Sequence, residues 1–425
     1  MDRYDEKYNE YIRILKEELK PAMGCTEPIA IAYASAKARE ILGIRPDNVI
    51  IKVSRNIIKN VKSVVVPHTG GLRGICAAAA AGIVAGVSSK QLEVLSDVNE
   101  GQIKEIGEFL QKAVFQVCCS DSTHIFDIMI TLTKGKAKSF VRITDYHTNI
   151  VRIELNDTVI YEKKSDERNT SQLVDYSVLN VKDIVAFTNL IDVEAVKPGI
   201  KCQVEYNTAI VEEGLKNNYG ANIGKVLLKT YGDDVKIRAR AKAAAGSDAR
   251  MNGCEMPVVI NSGSGNQGIT ASIPVIEYAK EIGVSEEKMY RALILSNLLT
   301  VHMKTGIGRL SAYCGAIIAG CASGAGIAYL YGGEYTDIAH TLVNSLAIVS
   351  GIICDGAKAS CAAKIASAVD AGIIGYHMFV EGQQFVDGDG IVKKGVENTI
   401  DNVCKLASVG MMETDKEIVN IMLGK

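Results

Sequence analysis

Strand-like alternation in this chain is confined to its first 165 residues or so. Asn48–Ser54, Val61–Val66, Val114–Cys118, Ile125–Leu132, Ala137–Ile143 and Asn149–Glu154 each read as a short strand. Beyond about residue 180 that pattern nearly vanishes. Apolar residues then recur at helical spacing in Val181–Val193, Val204–Leu215, Asn222–Leu228, Val235–Ala245, Ile269–Ile282 and Ser285–Val301. Thr336–Ile353, Ala362–Val369, Val396–Leu406 and Lys416–Met422 continue the series. The split predicts an α+β protein: an N-terminal α/β sandwich domain with a small mixed or antiparallel sheet, followed by a mostly α-helical catalytic domain. The sheet would have about five strands with helices on one side. The polar stretch Glu162–Thr170 marks the join, giving domains at 1–175 and 176–425. Within the first domain, residues 4–20 read as an amphipathic helix ended near Pro21, and Ile29–Ala38 as a second helix, with Thr26 as N-cap and Pro28 in its first turn.

Composition narrows the function classes. The chain has 425 residues, no Trp, 39 Gly and many Ala-rich runs, which suits large cores of closely packed helices. Residues 310–333 carry no charge and are long enough to span a bilayer. They are mostly Gly, Ala, Ser and Cys, whereas insertion needs large apolar side chains, so a small-residue helix inside a globular core is expected, and no membrane partner. Ala77–Ala81 reads the same way. A formal net charge of −2 and a pI near 6.4 argue against nucleic acid as a partner. Eleven cysteines with no signal peptide point to a reduced, cytoplasmic protein.

Three cysteines stand out by their setting. Cys354 and Cys361 lie seven residues apart in Cys354-Asp-Gly-Ala-Lys-Ala-Ser-Cys361. On one straight helix their Cα atoms would stand about 10 Å apart. Asp355-Gly356 is a turn signal, however, and a helix ending at Cys354 with a new one starting near Lys358 would aim both thiols at one point. Cys314, forty residues upstream in Tyr313-Cys-Gly315, supplies a third. Three convergent thiolates suit an iron–sulfur cluster with one open iron or a zinc with one open position; three buried core cysteines are the plainer alternative. Cys321 is also seven residues from Cys314 but sits inside an unbroken helical pattern, which favours packing. Cys25, in Met23-Gly-Cys-Thr-Glu-Pro28, precedes a helix start, where the macrodipole favours a thiolate.

Two glycine-bearing loops are candidate anion sites. In Pro67-His-Thr-Gly-Gly-Leu-Arg-Gly74, the backbone around Thr69, Gly70 and Gly71 can offer N–H groups, with His68 and Arg73 beside them. Gly263-Ser-Gly-Asn-Gln-Gly268 matches G-x-G-x-x-G, but a helical pattern follows where a dinucleotide fold needs a second strand. What remains is a loop whose Asn261, Ser262, Asn266 and Gln267 suit an amino-acid carboxylate. Arg238, Arg240, Lys242 and Arg250 read as one basic edge, with a turn over 245–255. Lys304 and Arg309 are candidate carboxylate handles, with solvated surface charge as the plainer reading.

The order of Gly24-Cys-Thr-Glu-Pro28, Pro67-His-Thr-Gly-Gly71, Asn261–Gly268, Tyr313-Cys-Gly315 and Cys354–Cys361 resembles that of the L-cysteine desulfidases, over nearly the whole chain. The cluster loop is also similar, more loosely, to that of the iron–sulfur L-serine dehydratases. The resemblance implies an oxygen-sensitive [4Fe–4S] cluster with one open iron on Cys314, Cys354 and Cys361, and Cys25 as the catalytic thiol. It implies conversion of L-cysteine and water to pyruvate, ammonia and hydrogen sulfide without pyridoxal phosphate. L-Cysteine is then the small-molecule partner, in a possible homo-oligomer. Two alternatives stay open at this level: a serine dehydratase acting on a hydroxyl, and a non-enzymatic iron–sulfur sensor, which would need neither an activated Cys25 nor two anion loops.

Overall fold

The computed structural model describes residues 5–24, 26–120, 122, 124, 126–163, 174–308 and 311–424; Cys25 and Arg309 lie outside them. The chain opens with helix α1 (Glu6–Glu18), capped by the Asp5 carboxylate, then β1 (Pro21–Met23) and α2 (Thr26–Leu42). Helix α2 includes Thr26 itself, one position earlier than a Thr26 N-cap would allow.

Next come β2 (Asn48–Val53), α3 (Arg55–Val61) and α4 (Gly74–Ala85), a 3-10 turn over Ser88–Glu93, and α5 (Glu100–Lys112), which carries an Asn99/Gln102 capping box. Five strands follow: β3 (Val114–Cys119), β4 (Asp127–Lys134), β5 (Ala137–Thr144), β6 (Ile150–Leu155) and β7 (Thr158–Glu162). They form one mixed sheet in the order β3-β2-β4-β5-β6-β7, with β2 and β3 parallel and every other pair antiparallel. A parallel pair needs a long crossover, and α3 to α5 provide it. Val49, Ile51, Val53, Ile128, Ile130, Leu132, Val141 and Ile143 are buried at every second position. They share a core with α2 and α4, whose backbones touch: a Cβ on Gly82 would lie 2.1 Å from the Ala32 carbonyl oxygen.

Two expectations fail here. Val61–Val66 is not a strand; α3 runs through Val61, and a single bridge joins Val65 to Arg73. The reason is that β3 and β4 already occupy both edges of β2, so Val64, Val65 and Val66 are buried as loop. The sheet also has one strand more than expected. Asn156 and Asp157, both at positive φ, turn the chain tightly into β7, an edge strand exposed along its whole length.

Beyond residue 174 the chain is almost wholly helical. Helices α6 (Val181–Leu190), α7 (Lys197–Lys216), α8 (Ile223–Tyr231) and α9 (Val235–Met251) lead to β8 (Pro257–Val259). Then follow α10 (Gly265–Ile282), α11 (Glu286–Ile307), α12 (Gly315–Leu330), α13 (Tyr335–Val349), α14 (Cys361–Val380), α15 (Val396–Lys405) and α16 (Met412–Leu423). The turn expected over 245–255 starts later, because α9 continues to Met251 and buries Ala243–Met251 in a second, larger core. Tyr8 and Tyr11 of α1 join that core, packing against Phe187 with ring centroids 5.3 and 5.0 Å away.

Helices α12 and α14 meet through residues with little or no side chain. Cβ atoms built on Gly320, Gly324 and Gly372 would lie within 2.5 Å of the backbone across the contact. No helix among the described residues is long and apolar enough to cross a membrane.

Candidate active site

The loop between α13 and α14 returns to the start of α12. Tyr313 and Ile353 form an antiparallel bridge; the Cys314 N–H donates to the Ile352 carbonyl at 3.2 Å, and the Cys354 N–H to the Ala312 carbonyl at 2.5 Å. Cys314 thus stands at the N-cap of α12, Cys354 opposite it, and Cys361 is the first residue of α14. Helix α13 stops at Val349 and α14 starts at Cys361, so the break is wider than the Asp-Gly turn alone suggested.

The three thiols lie within electrostatic reach of one another. Burial pushes the Cys314 thiol up to about 12, and repulsion from the Cys354 and Cys361 sulfurs adds to the push. Burial also raises Cys361, as does Cys354, while the Lys358 backbone and Lys364 oppose the shift. Cys321 is buried in α12 and raised by burial, with no contribution from those thiols. Among the described residues, no three His, Cys, Asp or Glu side chains are drawn together as a single ion requires.

Two cations support this loop. Lys364 donates to the Ile353 carbonyl at 2.9 Å and pairs with Asp355, which also pairs with Lys358 at 2.6 Å. Burial works against the Lys364 ammonium, but the Asp355 hydrogen bond and charge, together with Cys314 and Cys361, carry its pKa above the usual value. Lys59 of α3 is 2 % exposed; its ammonium donates to the Ser311 carbonyl at 3.2 Å and pairs with Asp415 of α16. Its own carbonyl presses on Gly356, which has φ +98°: a Cβ there would lie 2.1 Å from the Lys59 oxygen. Neither Lys59 nor Lys364 stands out by spacing in the sequence.

The second half of the site forms where β1 pairs antiparallel with β8, setting Met23 opposite Pro257. This brings the Gly24 turn beside the 261–268 loop. Gly24, at φ +60°, lies against Pro67, where a Cβ would come within 2.3 Å of the proline ring. The Gly24 carbonyl accepts from Arg250 Nη2 at 2.8 Å, and Arg250 Nη1 reaches Asn266 Oδ1 at 3.3 Å. Arg250 is 5 % exposed, and its Nε faces Gly265, where a Cβ would sit at 2.3 Å. Gln267 abuts Gly315, the residue after Cys314, and its Oε1 is buried without a partner.

The sequence-level candidates are placed as follows. Asn261 is fully buried; its amide donates to Asn297 and accepts from Ser262 Oγ at 2.8 Å. His68, at φ +55°, is held by Glu255: its N–H donates at 2.7 Å and Nδ1 lies 3.3 Å from the carboxylate, leaving Nε2 buried without a partner. Thr69 is buried and donates to the Val66 carbonyl at 2.7 Å. Gly70, Gly71 and Arg73 are exposed, with Arg73 donating to the Ser63 carbonyl. Cys25, between Gly24 and the first residue of α2, lies outside the described residues. Sequence reasoning placed two cations wrongly: Lys304 is buried in α11, and while Arg238 and Lys242 pair with Glu277, and Arg240 with Asp370, Arg250 turns inward at the end of the same helix. The only sequence signal for Arg250 is its place at the end of a run of small residues.

The family model described as serine dehydratase alpha chain matches residues 89–420, which include all three clustered cysteines and the 261–268 loop. A UPF0597 protein of Desulfitobacterium hafniense is 61% identical over 425 residues, covering 100% of this chain and 99% of the relative. UPF0597 proteins of Lachnoclostridium phytofermentans and Treponema denticola are 55% and 49% identical, covering 98% of this chain and 100% and 98% of their own lengths. With more than half of its residues matched by that family model, the chain belongs to the serine dehydratase alpha chain family.

Proposed function

We propose that the protein is a lyase, an L-cysteine desulfidase, converting L-cysteine and water to pyruvate, ammonia and hydrogen sulfide. The observation that carries this reading is the meeting of Cys314, Cys354 and Cys361 at the starts of α12 and α14. The donor set is all sulfur, the set that iron–sulfur clusters take. Cys314, Cys354 and Cys361 would hold a [4Fe–4S] cluster. When bound, it supplies one open, Lewis-acidic iron suited to a sulfur leaving group.

The chain's own residues would do the rest. Lys364, anchored on Ile353 and Asp355, offsets negative charge on the thiolates. Cys25 directly precedes α2, where the helix N-terminus favours its thiolate, and it takes the Cα proton as general base. The freed electron pair forms the Cα–Cβ double bond as the Cβ–S bond breaks and hydrosulfide leaves. The aminoacrylate product tautomerises to an imine, which water hydrolyses to pyruvate and ammonia. His68, Thr69, Gly70, Gly71 and Arg73 on one loop, with Asn266, Gln267, Ser262 and Asn261 on the other, are the proposed substrate-binding groups.

The family match favours a second reading, elimination of water from L-serine by the same residues. The test is pyruvate release from L-cysteine and L-serine, side by side, with anaerobically purified protein. Sulfide and pyruvate in equal amounts from cysteine, and little pyruvate from serine, is the expected result. The reverse preference replaces the desulfidase with a dehydratase, and release from neither removes both.

A further inference from the structure

We infer that Arg250 receives the α-carboxylate of the substrate. The inference rests on the elimination reading only for the identity of that substrate. Arg250 is 5 % exposed, and among the described residues no carboxylate pairs with it. Its two protein partners, the Gly24 carbonyl and Asn266 Oδ1, are neutral oxygens. A guanidinium carries five N–H donors, so three remain, and its Nε is buried without a partner. A buried cation with no counter-ion is costly to keep, and an anionic ligand in the fork relieves that cost.

The surroundings hold the fork in place. Gly265 leaves room for the guanidinium, which any side chain there would displace. The Gly24 carbonyl fixes one arm next to Cys25 in the chain, and Asn266 fixes another beside Gln267, which abuts the residue following Cys314. The carboxylate would therefore be held between the segment of the proposed base and the segment of the proposed cluster ligand. Gln267 Oε1, buried and unpartnered, is an acceptor suited to the α-ammonium of the same ligand.

The test uses anaerobic full-length protein with its iron and three probes: L-cysteine, pyruvate and cysteamine, which lacks the carboxylate. For wild type, Arg250→Met and Arg250→Lys, pyruvate and cysteamine binding is measured by calorimetry and L-cysteine binding as KM, or by calorimetry where it is not turned over, with iron content and melting recorded for each. Arg250→Met should weaken L-cysteine and pyruvate by about 30- to 100-fold and cysteamine by less than about threefold, with Arg250→Lys between. Equal losses for cysteine and cysteamine, or no loss for either, overturn the proposal. So does a wild type that binds no carboxylate. If wild type turns over neither cysteine nor serine, yet pyruvate binding still depends on Arg250, the carboxylate site stands and the elimination reading falls. Should both variants fail to fold, melting of wild type decides: a rise with pyruvate but not with cysteamine supports the site, and no rise overturns it.

Discussion

Gly356→Ala isolates the contact that seats the cysteine loop. Gly356 has φ +98°, and a Cβ there would lie 2.1 Å from the Lys59 carbonyl oxygen. An L-residue in that backbone region costs about 1–2 kcal/mol. Parting two pieces of backbone to admit a methyl group costs a further 1–3 kcal/mol or so, by analogy with overpacked cores. The sum, roughly 2–5 kcal/mol, is a large part of a typical domain's stability. The strain falls between Cys354 and Cys361, so the loop would move off α3 and carry two of the three thiols with it. Gly351→Ala is the control, because it lies in the same connection, has an ordinary φ, and a Cβ there meets nothing within 4 Å. Iron per chain after anaerobic purification and the urea midpoint should both drop for Gly356→Ala and stay near wild type for Gly351→Ala. If the two variants retain iron and stability equally, the Lys59 contact does not position the loop and the reasoning is wrong.

Three further outcomes are expected. Serine at Cys314, Cys354 or Cys361 should remove iron, whereas Cys321→Ser should retain it; iron analysis that finds the opposite pattern would move the ligand to Cys321. Cys25→Ala should keep its iron and brown colour but lose turnover by about 100-fold or more, the scale of a removed general base; iron loss in that variant would make Cys25 a ligand. Asp248 is buried where it accepts from the Gly224 N–H, and burial pushes its carboxyl up to about 6. Because that folded value lies above the unfolded one, near 4, its contribution is fully present below pH 4 or so and is lost as pH rises through 6. The stability of wild type relative to Asp248→Asn should therefore fall between pH 4 and pH 7 in thermal melts, and a constant difference would contradict the assignment.

Most of the sheet was legible because one face of it is buried. Ile128, Ile130 and Leu132 point inward at every second position, and that alternation is written in the residue order. Strand β7 carries no such mark, since all five of its residues are exposed. Val61–Val66 has strand composition, but β3 and β4 already flank β2, a fact about neighbours that spacing does not encode. A helix break before Cys361 followed from the Asp355-Gly356 turn, although it runs wider than that turn, from Val349 to Cys361. The supports of that loop did not: Lys59 reaches Asp415 across most of the chain length, and Arg250 was hidden among three surface cations on its own helix.

The crossing of α12 over α14 bears on how the cysteine frame survives without iron. Both helices begin at the site, one just after Cys314 and the other at Cys361. Their separation is set a few turns away, where Gly320 and Gly324 lie directly against the Ala368 and Gly372 backbone. Contacts between main chains leave no rotamers to relax, so the distance between the two helix starts is rigid. Two of the three proposed ligand positions would then be pre-organised in the apoprotein, with little chain ordering left for insertion of the proposed cluster to drive. Iron lost to oxygen should be replaceable without unfolding, at a site that waits with the same aperture.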